Sequence, residues 1–191
     1  MPNDGAINLA GFPGLKHTTG DQAADLKLTS LVAAFESSFQ GQGLNYHLLG
    51  SYAEGSATPV SDLDVIILFP GGLLGEEAAE SERILRDLAA RPGPRLDVEP
   101  RGELDLNPIW AVALASGSVR LFGNPETPVQ MPSVADYAWA LVEDVCSLIR
   151  RLRSRQRSVA FPVDYPDPEG VFFGYEQKPL LTASGAWVPS S

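Results

Sequence analysis

The segment from residue 45 to residue 69 constrains the fold more than any other part of the sequence. Asn45 to Leu49 has the length of a short strand and runs directly into Gly50-Ser51. A turn-rich stretch follows, and then comes the run Leu63-Asp64-Val65-Ile66-Ile67-Leu68-Phe69, which ends at Pro70. A β-branched run of this length predicts a strand. The segment therefore predicts two strands, separated by a glycine-containing turn and a loop.

Two aspartates stand at the start of the second strand. Residues i and i+2 of an extended chain share a face, so the carboxylates of Asp62 and Asp64 are expected to point the same way. Gly50 allows a tight turn, and the Ser51 hydroxyl and nearby N–H groups can donate to phosphate oxygens. Carboxylates clustered without a cation repel each other, whereas Mg²⁺ prefers oxygen ligands. The pattern therefore favours a Mg²⁺ and phosphate site over a purely structural acidic edge.

The same segment resembles the signature of the polymerase-β-like nucleotidyltransferase superfamily. That signature is hydrophobic-Gly-Ser, about ten residues, and then Asp-x-Asp on a strand, which residues 48–69 reproduce. Aminoglycoside adenylyltransferases, minimal nucleotidyltransferases and toxin-type relatives share it. A plausible order of elements extends the resemblance from about residue 30 to residue 123. The resemblance implies an α+β fold with a small mixed β-sheet flanked by helices.

The resemblance also implies a third carboxylate, on a neighbouring strand and between hydrophobic residues. Leu96-Asp97-Val98 fits this setting, which makes Asp97 the preferred candidate. Glu99 lies on the same face of that strand and is the main alternative. Asp105 is a second alternative, although the nearby Asn107 predicts a turn into a helix at that point.

The site residues follow from this resemblance. It implies two divalent metal ions, Mg²⁺ or else Mn²⁺, and the catalytic and metal-binding residues would be Asp62, Asp64 and Asp97. Nucleotide binding is assigned to Gly50 and Ser51. Ser61 directly precedes the first aspartate. It is expected to brace the loop, and it is a further candidate for nucleotide binding.

The implied activity is transfer of a nucleoside monophosphate, expected to be AMP from ATP, to an acceptor hydroxyl or similar group, with release of pyrophosphate. The acceptor stays open. A small molecule is favoured over a macromolecule, because a net charge of −10 repels a nucleic-acid backbone. Five arginines between residues 150 and 157 keep RNA among the alternatives. The alternatives are a protein- or tRNA-modifying enzyme of the toxin–antitoxin type and a catalytically silent nucleotide-binding module.

The remaining sequence predicts further elements around this segment. Apolar spacing and capping residues predict helices over residues 21–40, 76–91 and 107–117 and from residue 133, with a third strand over 95–99 that ends at Pro100. We therefore expect a loose lead-in over residues 1–20 and a nucleotidyltransferase domain over 21–130. One long helix and an irregular, aromatic- and proline-rich tail are expected over 131–191.

Composition limits the class of protein. One cysteine, Cys146, excludes an internal disulfide framework. No apolar run reaches the ~18 residues of a membrane span, so a cytoplasmic protein without a membrane contact is expected. Only one long helix and the tail follow residue 133, where relatives that modify small molecules carry a helical bundle. A homodimer is one way to complete the acceptor pocket.

Overall fold

The computed structural model describes residues 14–124 and 129–155. Two compact units cover Met1–Pro132 and Ser133–Ser191. The elements are α1 (Gln22–Ser38), β1 (Asn45–Leu49), α2 (Gly50–Glu54), β2 (Leu63–Phe69), α3 (Gly75–Ala89), β3 (Leu96–Gly102), a 3-10 turn (Glu103–Asp105), α4 (Pro108–Gly117), β4 (Val119–Phe122) and α5 (Val134–Arg155). The aromatic tail predicted after residue 157 and the first 13 residues lie outside the described ranges.

The four strands form one mixed sheet in the order β3-β2-β1-β4. β1 pairs antiparallel with both β2 and β4, whereas β2 and β3 run parallel. A parallel pair needs a crossover, and α3 lies between these two strands in the chain. This topology brings the starting ends of β2 and β3 together at one edge of the sheet. The predicted small mixed sheet flanked by helices is confirmed.

The first face of the sheet carries the large core. Alternate residues of β2 point to this face, where α1 and α3 contribute apolar side chains. The N-cap of α1 is Asp21, whose carboxylate accepts hydrogen bonds from the Ala23 and Ala24 N–H groups. The largest fully buried members of this core are Phe35, Tyr46, Phe69, Leu28, Leu31, Leu44, Leu48, Leu63, Ile67, Leu88 and Leu121.

The second face carries a much smaller apolar cluster. Ile66, Leu68 and Leu114 are buried there, and Trp110 packs against them. α4 supplies two of these residues, and its N-cap is Asn107, as predicted, because its side chain accepts a hydrogen bond from the Trp110 N–H. The cluster lies along the middle and end of β2. At the start of β2, this face carries the polar residue Asp64 instead of an apolar one.

The observed strands differ from the sequence-based expectations in two respects. β3 does not end at Pro100 but continues to Gly102. Within the described residues β3 pairs with β2 alone, and an edge strand tolerates proline because one side of its backbone needs no ladder partner. β4 was not predicted at all. Its four residues have no informative pattern of their own, and pairing with β1 makes them a strand.

The predicted turn after β1 is instead the short helix α2. Gly50 opens it, and Gly55 ends it in the left-handed conformation with φ of 73°.

In the second unit, α5 begins after Ser133, whose hydroxyl accepts a hydrogen bond from the Asp136 N–H at 3.1 Å. Within the described residues, no helix combines the length and the apolar character that crossing a membrane requires.

Candidate active site

Three aspartates meet where β2 and β3 begin. Asp62 directly precedes β2, Asp64 is the second residue of β2, and Asp97 is the second residue of β3. Asp64 and Asp97 are register partners in the parallel ladder. Each of the three half-buried side chains offers one carboxylate oxygen, and these oxygens lie within 4.8 Å of one another. The aspartates are close together because β2 and β3 run parallel, so both strands begin at the same end of the sheet.

The chemistry of this cluster suits a divalent cation. Its donors are carboxylate oxygens, which hard cations such as Mg²⁺ prefer. Asp62 Oδ2 is buried and has no hydrogen-bond partner among the described residues. A buried acceptor without a partner is costly, and three neighbouring negative charges repel one another. Both costs fall when a cation is bound, so the three aspartates could hold a divalent metal ion.

Gly50 lies directly against this cluster. Its φ is 64°, a left-handed conformation that favours glycine. A Cβ at this position would overlap Asp64 Oδ2 and would lie 3.3 Å from Asp64 Cγ. The contact arises because Leu49, the last residue of β1, is the register partner of Asp64. Gly50 therefore has a role that the sequence did not predict, because the absence of a side chain leaves room for the Asp64 carboxylate.

The two serines assigned to nucleotide binding have different surroundings. Ser51 is half-buried in the first turn of α2, where backbone N–H groups lack partners within the helix. The Ser61 hydroxyl accepts a hydrogen bond from the Thr58 N–H at 2.9 Å and lies 3.2 Å from Thr58 Oγ1. Ser61 therefore braces the loop before Asp62. A nucleotide contact by either serine stays a prediction.

The two alternative carboxylates lie away from the cluster. Glu99 is paired with Ile66, one step further along the same face, and its carboxylate accepts a hydrogen bond from Arg101 at 2.5 Å. Asp105 follows the far end of β3, because it lies in the turn after Gly102. The structure thus brings Asp97, rather than either alternative, to the aspartate pair. Arg101 was not predicted as a partner of Glu99, although the i,i+2 spacing on a strand could have indicated it.

His47 lies on the second face of β1 and is buried. Its Nδ1 is 3.0 Å from the Ser118 hydroxyl, which itself donates to the Leu114 carbonyl oxygen. The Ser118 oxygen is then free to accept from His47, so Nδ1 carries the proton. Burial and the neighbouring Arg120 lower the pKa of His47 to about 4. His47 is therefore a neutral, buried residue at physiological pH.

Residues 28–106 match the protein family described as "Nucleotidyltransferase domain". The matched range contains Gly50, Ser51 and all three clustered aspartates. Together with the mixed sheet and the aspartate cluster, this match identifies residues 28–106 as a nucleotidyltransferase domain of the polymerase-β-like superfamily. A domain of this family implies nucleotidyl transfer as its general activity and a nucleoside triphosphate as its substrate.

Comparisons with other known proteins add only remote similarities. No curated protein sequence matches the chain significantly. One similar solved structure is titled "Crystal structure of the toxin-antitoxin with AMP-PNP"; it is 15% identical, with 67% of this chain and 90% of that chain covered, at a TM-score of 0.42. A mutant of the toxin–antitoxin MntA-HpeT is 13% identical, with 66% and 90% covered, at a TM-score of 0.39.

Proposed function

We propose that this chain transfers AMP from ATP to an acceptor hydroxyl, with release of pyrophosphate, and that Asp62, Asp64 and Asp97 carry the reaction. One observation supports this proposal above all others. Three carboxylate oxygens at the starts of two neighbouring strands lie within 4.8 Å of one another, beside Gly50, whose position has no room for a side chain. Three clustered negative charges repel one another, and a divalent metal ion of the kind that assists such a transfer would offset this repulsion.

The three aspartates would have different roles, according to their positions. Asp62 and Asp64 would hold the ion that accompanies the triphosphate, and Asp97 would complete the ligand set toward the acceptor. The expected ion is Mg²⁺, with Mn²⁺ as an alternative, and when bound it neutralises developing charge on the phosphate oxygens. Backbone N–H groups at the start of α2, with the Ser51 hydroxyl, would donate hydrogen bonds to the triphosphate.

The reaction balances without a further reactant. The acceptor oxygen forms a bond to the α-phosphorus of the nucleotide, and the bond from that phosphorus to the bridging oxygen of pyrophosphate breaks. The proton of the acceptor hydroxyl would pass to the Asp97 carboxylate and then to solvent.

The acceptor is proposed to be a small neutral or cationic molecule. The chain has 24 acidic and 14 basic residues, which disfavours an extended polyanion such as tRNA. On β3, Arg101 is engaged with Glu99 and so adds little positive potential beside the site.

The experiment compares two carboxylate variants of the full chain. The double variant Asp62→Asn and Asp64→Asn should lose Mg²⁺-dependent binding of a non-hydrolysable ATP analogue in calorimetric titration. Asp105→Asn makes the same chemical change at the far end of β3 and should bind like the unmodified protein. Unchanged affinity in the double variant would show that the aspartate pair is not the metal site.

Transfer is tested separately with labelled ATP, CTP, GTP and UTP, Mg²⁺ and fractions of cell extract. Label should pass from ATP to a small molecule in the low-mass fraction. Label on protein or tRNA would instead favour the toxin–antitoxin type of activity. Nucleotide binding without label on any acceptor would support a silent binding module.

A further inference from the structure

Four exposed aliphatic residues of α5 share one face, whereas the exposed Trp139 lies off that face. Val134, Leu141, Val142 and Val145 have exposed fractions of 86%, 40%, 52% and 43%. Their spacing is that of a heptad stripe, which the sequence continues at Leu148 and Leu152. Exposure of these four aliphatic side chains to water is unfavourable, because burial of apolar surface is the main favourable contribution to association. The stripe therefore indicates a surface that another helix can cover.

The charges of α5 are divided between its two halves. All acidic residues lie in its first half, residues 134–144, and all arginines lie in its second half; they are Asp136, Glu143 and Asp144, and Arg150, Arg151, Arg153 and Arg155. Acid–base pairs within a helix need a spacing of three or four residues. No acidic residue of α5 has an arginine at either spacing. The spacing therefore provides no acid–base pair along α5 itself, and the two halves of the helix carry opposite charge.

We propose that α5 pairs with α5 of a second copy of this chain, with the two helices running antiparallel. The antiparallel orientation places the acidic half of one helix beside the basic half of the other, and it apposes the two apolar stripes. A parallel pair would instead place acidic beside acidic and basic beside basic. The inference concerns α5 alone and does not depend on the proposed transfer reaction.

The sequence that follows α5 is a poorer occupant of this stripe. Residues 156–191 contain five prolines, which disfavour a helix of matching length. They carry four acidic and two basic residues, so they offer no mirrored division of charge. A second α5 supplies both the apolar stripe and the complementary halves.

The first test is the mass of the full chain in solution, measured by light scattering at micromolar concentration. The unmodified chain should have twice the 20.4 kDa of one copy. Val145→Asp places a charge on the stripe and should halve the measured mass. Cys146→Asp adds the same charge at the next residue, off the stripe, and should leave a dimer. A monomeric unmodified chain, or a Val145→Asp dimer, would overturn the proposal.

The second test measures orientation with spin labels. A label on Cys146, which is exposed and near the middle of α5, should lie close to its counterpart in the dimer. A label on Ala135→Cys, in a Cys146→Ser background, should lie roughly 25–30 Å from its counterpart along the helix axis, at 1.5 Å per residue. A short distance at both positions would mean a parallel pair and would overturn the antiparallel arrangement.

The third test exchanges charges between copies. A variant with Asp136→Lys, Glu143→Lys and Asp144→Lys has a wholly basic helix, and one with Arg150→Glu, Arg151→Glu, Arg153→Glu and Arg155→Glu has a wholly acidic one. Each should be monomeric alone, and an equimolar mixture should recover the dimer mass. Dimers formed equally well by each variant alone would contradict a role for charge in the pairing.

Discussion

The two faces of the sheet use the same strand in different ways. On the first face, Leu63, Val65 and Ile67 of β2 join a large apolar core beneath α1 and α3. On the second face, the alternate residues begin with Asp64, and only Ile66 and Leu68 are buried in an apolar cluster. Side chains alternate between the two faces of a strand, and in an antiparallel sheet this commonly gives one buried and one polar face. The second face follows that rule only at the start of β2, because α4 covers the rest.

Under the proposed function, this difference predicts that substitutions on the two faces of β2 have different effects. Substitutions on the first face should lower the free energy of unfolding, because they leave cavities in a close-packed core. Substitutions at the aspartate end of the second face should lower activity with little loss of stability, because they remove repelling charges. The following variants test that separation, in order of decreasing expected effect.

Phe35→Ala should have the largest effect, on stability alone. Phe35 is fully buried in the first-face core and packs edge-on to Tyr46 with ring centroids 6.5 Å apart. Its truncation should lower the free energy of unfolding by about 3–5 kcal/mol, measured by urea denaturation. The fraction that remains folded should bind nucleotide normally. A loss below about 1 kcal/mol would show that the two faces do not differ in this way.

His47 should make stability depend on pH, although it lies on the second face. Its pKa is lowered to about 4 in the folded protein, so the unfolded chain binds the extra proton between about pH 6.5 and pH 4. Stability should therefore be full above pH 6.5 and should fall by on the order of 3 kcal/mol as the pH drops to 4. His47→Gln should lack this part of the pH dependence in urea denaturation at several pH values. Equal slopes for both proteins would contradict the lowered pKa.

Asp97→Asn should lower transfer by about 10²-fold, as expected for the loss of a catalytic proton acceptor or charge-stabilising group. Nucleotide affinity should stay nearly unchanged, because Asp62 and Asp64 remain. The measurements are initial rates of transfer and calorimetric titration with the ATP analogue. Glu99→Gln is the control on the same strand face, where it removes only the ion pair with Arg101. If the control is inactive and Asp97→Asn is not, the third carboxylate is Glu99.

Gly50→Ala should have a small effect on stability and a selective effect on binding. An alanine in this left-handed conformation costs about 1–2 kcal/mol. Its Cβ would also displace the Asp64 carboxylate, so Mg²⁺-dependent nucleotide affinity should fall. Gly55→Ala is the matched control, because Gly55 has a φ of 73° and open space around its Cβ position. Both variants should lose similar stability in thermal unfolding, but only Gly50→Ala should lose affinity in titration.

Much of the first unit could be predicted from the sequence because its signals are local. The run from Leu63 to Phe69 is apolar enough to specify a buried strand, and its bounds agree with β2. Asn107 followed by proline specified the start of α4. β4 could not be predicted, because a four-residue strand with a central arginine becomes extended only through its ladder with β1. The end of β3 could not be predicted, because a strand continues through a proline such as Pro100 only at the edge of a sheet, and the sequence does not show that β3 is an edge strand.

The sequence by itself determined the aspartate pair, since residues i and i+2 of any strand share a face. It left three carboxylates as alternatives for the third position. The tertiary structure places Asp97 nearest the pair, because the parallel register sets Asp97 beside Asp64 and carries Asp105 to the opposite end of β3. The contact between Gly50 and Asp64 likewise depends on the tertiary structure, because it joins residues of different elements. Spacing within one strand follows from covalent geometry, whereas the distance between two strands exists only once the sheet has formed.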